Sequence, residues 1–170
     1  MDVTGYKLKE ALKLKTIELQ SVQSLFDESL YKFEGEEKLS PMDVVAQIKT
    51  LEDQIAKLQT AQSYYNLQVI VIINGERGFL ETAIKLVGGA GRVSKMWRTA
   101  SAGRTRDKWD RSQIATRRTD EITAEPTVKK VDALEKAKEA EKFASSLRSA
   151  IAVGNTSIVD IAWIDEKLFS

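Results

Sequence analysis

Two stretches in the first half of the chain repeat their apolar residues at alternating intervals of four and three, and this repeat limits the fold more than any other feature. A heptad pattern gives an α-helix one narrow apolar stripe, which must pack against another helix. The first stripe comprises Leu8, Leu12, Leu19, Val22, Phe26 and Phe33. Lys15 occupies one position of this stripe where the spacing calls for an apolar residue. The second comprises Ile48, Leu51, Ile55, Leu58, Gln62 and Tyr65.

A short break separates the two stretches and sets their relative direction. Gly35 suits the left-handed position after a helix end. Ser40, Pro41 and Asp43 form an N-cap, a first-turn proline and a capping box for the second helix. Because so short a connection makes neighbouring helices antiparallel, the sequence predicts a long antiparallel helical hairpin over residues 4–67.

The next segment predicts a small β element. Residues 67–73 are mostly β-branched and apolar, and Asn74 with Gly75 is a strong signal for a tight hairpin turn. We therefore expect a β-hairpin over residues 67–80, followed by a helix over 80–102.

Three glycines complicate that helix. Gly88, Gly89 and Gly91 would each cost about 1 kcal/mol relative to alanine in a helix interior. We therefore expect a glycine-interrupted helix, and the alternative is that another group approaches the backbone closely there.

The second half of the chain predicts a loop, a further helix and a tail. Residues 103–124 form a basic loop with a weakly patterned strand, and Pro126 opens a helix over 125–153. Residues 154–170 are rich in large apolar side chains, so we expect this tail to dock on another surface. The predicted helix over residues 125–153 has an alanine-rich stripe made of Ala133, Ala137, Ala140, Ala144, Leu147 and Ile151. Residues 1–170 thus predict one domain that is mainly α with a minor β part.

Composition excludes several classes of chemistry. The chain has no cysteine and no histidine, which excludes thiol catalysis, His-based triads and the usual zinc ligand sets. We expect no enzyme activity, no cofactor and no metal site. The longest apolar run, residues 69–73, is far too short to span a bilayer, and no signal peptide is recognisable. We expect a cytoplasmic protein, or a component of a particle.

Charge is segregated along the chain. Residues 92–118 carry nine basic and two acidic residues, a net charge of +7, whereas the whole chain carries +1. Such a segment could bind a polyanion, because basic groups neutralise phosphates and aromatic rings stack on bases. The alternatives are an acidic surface of another subunit and a solvated loop. The candidate residues are Arg92, Lys95, Arg98, Arg104, Arg106, Lys108, Trp109, Arg111, Arg117 and Arg118.

Other motifs in the chain favour structural interpretations. Residues 88–92 could cradle a phosphate, but they lack the Walker ending and the spacing of dinucleotide-binding loops, so a kink is favoured. Trp97 has apolar neighbours and is assigned to the core, whereas Trp109 lies between charges and is assigned to an interface. Two acidic pairs, at residues 36–37 and 120–121, are interpreted as solvated turns rather than catalytic or cation-binding groups.

Several short motifs together resemble the septicolysin-like family of small bacterial helical proteins. These are residues 7–12, the break at 35–37, the stripe Leu51, Ile55 and Leu58, the exit at 66–67, the turn at 74–75 with its following helix, and residues 111–114. The resemblance implies a long helical hairpin, a small β element, further helices and an oligomeric state. Residues 88–92 depart from the charged helical pattern of that family.

The function predicted from these features is a non-enzymatic structural or assembly protein that forms a homo-oligomer, alone or with other subunits of a larger assembly. Narrow stripes on long helices leave little area for a self-contained core, and acidic helices can meet the basic segment of another copy. A shell, virion or particle component is one version of this function. The alternative is a module that binds nucleic acid or another polyanion. The predicted interface residues in the tail are Trp163, Ile164, Leu168 and Phe169.

Overall fold

A computed structural model describes residues 1–102 and 127–169, and it is mainly helical with two small antiparallel strand pairs. The predicted fold class is thereby confirmed. Of the described residues, 1–81 and 150–169 form one compact unit, and 82–102 and 127–149 form a second. The helices are α1 (Gly5–Ser29), α2 (Pro41–Gln68), α3 (Leu80–Ala102) and α4 (Lys130–Gly154), and a 3-10 turn covers Glu166–Phe169. The strands are β1 (Asp2–Val3), β2 (Ile70–Ile73), β3 (Glu76–Phe79) and β4 (Val159–Asp160).

The α1–α2 pair is the predicted antiparallel hairpin. Thr4 caps α1 by accepting a hydrogen bond from the Lys7 N–H at 3.2 Å. Ser40 caps α2 by accepting one from the Asp43 N–H at 3.2 Å, and Pro41 occupies the first turn as predicted. These caps satisfy N–H groups that have no partner inside their helices.

Leucine and isoleucine side chains from both predicted stripes hold the hairpin together. Leu19, Leu51 and Ile55 form a buried cluster, and Leu12, Val22 and Ile48 pack around it. Lys15, the polar exception in the first stripe, pairs with Glu18 at 3.2 Å. The heptad spacing therefore identified the packed faces correctly.

Helix α1 ends earlier than predicted. It stops at Ser29, whereas the apolar spacing extended it to Phe33. The Glu36 carboxylate accepts a hydrogen bond from the Phe33 N–H at 3.2 Å, and this bond stabilises a turn in place of another helical turn. Gly35 does take a left-handed conformation, with φ of 84°, but within that turn rather than directly after the helix.

The β2–β3 hairpin has the tight turn that Asn74 and Gly75 predict. Both residues have positive φ, 52° and 85°, as a type I′ turn requires. The register pairs Ile73 with Glu76 and Ile70 with Phe79.

The prediction of an interrupted helix is wrong, because α3 runs without a break from Leu80 to Ala102. A heptad stripe continues through the glycines, with Ala83, Ala90 and Ser94 buried. A Cβ atom at Gly89 or Gly91 would meet no atom within 4 Å, so no close approach requires those glycines either. Continuous packing of the stripe outweighs the low helix propensity of glycine.

Helix α4 packs its alanine-rich stripe in the second unit. Ala133, Ala137 and Ala144 are buried there, as the spacing predicted. Ser94 of α3 donates a hydrogen bond to the Ala137 carbonyl at 3.4 Å, so the two helices meet at a seam of small side chains. The sequence predicted this helix over 125–153, whereas α4 begins at Lys130 and ends at Gly154. Pro126 and the predicted loop and strand over 103–124 lie outside the described residues.

The first unit closes around Tyr65, near the end of α2. The Tyr65 hydroxyl lies 2.7 Å from the Gly154 carbonyl and 2.8 Å from the Ser157 carbonyl, and the two carbonyls share its single proton. Strands β1 and β4 pair nearby, with Val3 opposite Val159. These contacts join the end of α4 to the hairpin.

Candidate interaction surfaces

Three of the ten residues predicted to bind a polyanion lie in the described part of the chain. Arg92, Lys95 and Arg98 project from α3, and Arg98 forms an ion pair with Glu141 of α4. Arg92 and Lys95 are exposed. The others lie outside the described residues: Arg104, Arg106, Lys108, Trp109, Arg111, Arg117 and Arg118.

Arg92 and Lys95 border a shallow open depression of about 610 Å³. Met96, Thr99 and Ala100 complete its lining, so its floor is mostly apolar. Two cations beside an open apolar floor can attract an anion but do not enclose one. Trp97, assigned to the core from sequence, is partly buried on the adjacent face of α3.

The C-terminal tail docks on its own chain. Ile164 and Leu168, two of the four predicted interface residues, are buried in the first unit. Lys7 of α1 places its Nζ atom 5.0 Å from the centre of the Phe169 ring. Trp163 packs edge-on against Tyr64 with ring centres 6.4 Å apart, yet remains 52% exposed. Of these four residues, Trp163 offers the most surface to another molecule.

The surroundings of Tyr65 are packed too tightly to be a binding site. A Cβ atom added to Gly5 would lie 2.3 Å from Asn155 Oδ1 and 2.9 Å from Tyr65 Cε1, so there is no cavity between them. Burial raises the pKa of Tyr65 above its ordinary value, and a backbone hydrogen bond with Gly5 acts in the opposite direction. These groups determine stability. Sequence reasoning missed them because no local pattern brings Gly5, Tyr65 and Asn155 together.

The connection between α1 and α2, together with the first turn of α2, carries five exposed apolar residues, which we call the hairpin tip. Tyr31 is 78% exposed, Phe33 77% and Met42 80%. Leu30 and Leu39 complete the hairpin tip and are also exposed. Sequence reasoning did not single out this surface. Its signal is the presence of large apolar residues in a connection that is otherwise charged.

A small pocket of about 120 Å³ lies at the base of the hairpin tip. Its apolar lining comes from Leu25, Leu39 and Val44, with Glu28 and Lys38 at the sides. The apolar part of the pocket can hold an aliphatic group.

Of the acidic pair at 36–37, Glu36 has a local structural role. Glu36 contacts Lys38 at 3.3 Å, and the hydrogen bond from the Phe33 N–H is the main reason that the pKa of Glu36 is lowered. The pair at 120–121 lies outside the described residues.

Within residues 1–102 and 127–169, no group of three or more acidic side chains is placed to hold a metal ion. None of the helices in that part of the chain combines the length and apolar character needed to cross a bilayer.

Comparison with known proteins identifies a fold and no family. No family model and no curated protein matches the chain. The chain is similar to a crystal structure of a functionally unknown conserved protein from Corynebacterium diphtheriae, with a TM-score of 0.67 and 14% sequence identity. The similarity covers 94% of this chain and 100% of that one. At this level of identity, the similarity shows a shared fold alone.

Proposed function

We propose that this protein is a non-enzymatic structural or assembly protein that forms a homo-oligomer. The observation that carries the proposal is the hairpin tip. Tyr31 and Phe33 in the connection and Met42 in the first turn of α2 are each more than three-quarters exposed. Single exposed apolar residues are normal on a monomer, but a cluster of large ones marks an interaction surface.

The energetic reason for association is burial of these side chains. Each large apolar side chain transferred from water to an interface contributes roughly 1.5–3 kcal/mol. The pocket beneath the tip, lined by Leu25, Leu39 and Val44, is a place where an aliphatic side chain of another copy can insert.

Charge distribution supports contact between identical copies. The basic segment 92–118 carries +7 and the rest of the chain sums to −6, so oppositely charged regions of two copies attract each other. A shell, virion or particle component is one version of such an assembly, in the cytoplasm or within the particle itself.

Native mass spectrometry and light scattering over a range of micromolar concentrations test this proposal. We expect a mass that is a multiple of the monomer. Replacing Tyr31 and Phe33 together with serine should lower that mass, whereas the matched double replacement Leu14→Ser with Ile17→Ser, on exposed positions of α1, should leave it unchanged. A clean monomer of the unmodified protein at micromolar concentration would contradict the proposal.

A second candidate function is binding of nucleic acid or another polyanion. It rests on Arg92 and Lys95, which are exposed on α3 beside an open depression. Retention on immobilised nucleic acid that weakens with salt, and that is lost when Arg92 and Lys95 are replaced with alanine, would support this function. An altered oligomer mass without any such retention would favour assembly.

A further inference from the structure

One edge of the β2–β3 hairpin has free backbone groups. In a two-residue turn the flanking residues, here Ile73 and Glu76, hydrogen-bond to each other. Bonded and non-bonded pairs alternate along an antiparallel ladder. Ile70 and Ile72 therefore direct their N–H and C=O groups away from β3. Among the backbone–backbone hydrogen bonds that residues 1–102 and 127–169 form outside their helices and strand ladders, none involves Ile70 or Ile72.

The two edges of this hairpin differ in chemistry. Strand β2 has the sequence Ile-Val-Ile-Ile, without a charge, proline or glycine. Strand β3 has the sequence Glu-Arg-Gly-Phe and carries two charged residues, Glu76 and Arg77. Proteins commonly protect an exposed edge strand with charges, prolines or short length. Strand β3 is protected by its charges, whereas β2 is protected only by its short length.

Side-chain exposure follows the same alternation. Val71 is buried, whereas Ile70 and Ile72 lie on the outer face and are exposed, Ile72 at 59%. Phe79, directly opposite Ile70 in the register, is exposed on the same face. Arg77, directly opposite Ile72, lies on this face as well. The free edge therefore adjoins an uncovered face that is apolar at Ile70, Ile72 and Phe79 and charged at Arg77.

From these observations we infer that β2 is the strand through which two copies of this chain pair. The inference rests on the proposed assembly function and names one of its contacts. The two β2 strands run antiparallel about a two-fold axis at Val71, so that Ile70 of one copy is opposite Ile72 of the other. In this register the free N–H and C=O groups of Ile70 and Ile72 bond reciprocally, and these isoleucines meet on one apolar face.

A second copy fits this edge because the edge is complementary to itself. An uncharged strand meets an identical uncharged strand without charge repulsion, and a two-fold contact uses the same patch on both copies. The combined sheet has the order β3–β2–β2–β3, and its outer strands carry Glu76 and Arg77 from each copy. Charge on both outer strands prevents further strand addition, so the contact closes as a pair instead of growing into a fibre.

Amide hydrogen exchange tests the pairing directly. In a single copy, the Ile70 and Ile72 amides face solvent, whereas the Ile73 amide is bonded within the hairpin. We expect the Ile70 and Ile72 amides to become protected as protein concentration rises, with little change at Ile73. Concentration-independent exchange at Ile70 and Ile72 in a protein that oligomerises would overturn the inference, as would protection that accompanies fibril growth.

The substitution Ile72→Lys supplies an independent test. It places a charge against an apolar pair, and we expect it to weaken the contact about tenfold or more and to halve the mass of the assembly. Ile17→Lys on α1 is the matched control, because Ile17 is similarly exposed at 52% but lies on a helix. Circular dichroism of both variants establishes that the fold is retained.

The outcomes separate this inference from the proposed function. A monomeric unmodified protein rejects both. An oligomer whose mass is unaffected by Ile72→Lys, or affected equally by Ile17→Lys, rejects pairing through β2 and leaves the assembly function standing. A lower assembly mass in the Ile72→Lys variant, with an unchanged mass in the Ile17→Lys variant, supports the pairing.

Discussion

At the scale of single residues, Tyr65 links two distant parts of the first unit, the end of α2 and residues 154–157. Its ring is buried, and the Gly154 and Ser157 carbonyls share its hydroxyl proton. The Tyr65→Phe substitution should destabilise the protein by about 1–3 kcal/mol, because buried carbonyls lose their hydrogen-bond donor.

The stabilising effect of Tyr65 should also depend on pH. Burial raises its pKa, so the folded chain keeps this proton at pH values where the unfolded chain has lost it. The contribution is fully present below about pH 10, the ordinary pKa of tyrosine, and is lost as the pH rises through the folded pKa. Urea denaturation of the unmodified protein and Tyr65→Phe from pH 8 to 11 measures this, and we expect the difference in unfolding free energy to shrink above pH 10. A constant difference would contradict the assignment.

At the scale of elements, two glycines at helical positions should respond oppositely to the same substitution. Gly89→Ala should raise the unfolding free energy by about 0.5–1 kcal/mol, because α3 is continuous and the added methyl group meets open space. Gly5→Ala should lower it by about 1–3 kcal/mol, because its methyl group would overlap buried Asn155 and Tyr65. Chemical denaturation of each variant provides the comparison. Destabilisation by Gly89→Ala would indicate that this face of α3 is already covered by another copy.

The elements also show how far sequence reasoning extends. The packed parts of the stripes, the Ser40 cap and the Asn74–Gly75 turn were predicted correctly because each is encoded by residues close together in the chain. The break in α3 was predicted wrongly because local glycine propensity was given more weight than the stripe through Ala83, Ala90 and Ser94. The end of α1 was misplaced because Phe33 happens to continue the heptad spacing.

At the scale of the whole molecule, contacts between distant parts of the chain could not be predicted. Strands β1 and β4 are two residues each, too short to show any periodicity, yet they pair Val3 with Val159. The apolar content of residues 154–170 predicted that this tail docks on another surface. Its docking surface, on α1 and α2 of the same unit, depends on long-range packing. The basic segment, the oligomeric state and the resemblance to septicolysin-like proteins remain predictions.

The alanine seam of the second unit has a consequence for motion. Alanine lacks three of the side-chain carbons of leucine, so each alanine position loses roughly 2 kcal/mol of burial energy relative to a leucine, at about 0.8 kcal/mol per carbon. The seam through Ala133, Ala137 and Ala144 should therefore open at a lower free energy than the cluster of Leu19, Leu51 and Ile55. Native-state amide exchange should show α4 amides losing protection at lower denaturant than those of α2, and equal exchange free energies would contradict this. The protein then has a firm hairpin and a second helix pair that opens transiently, independently of global unfolding.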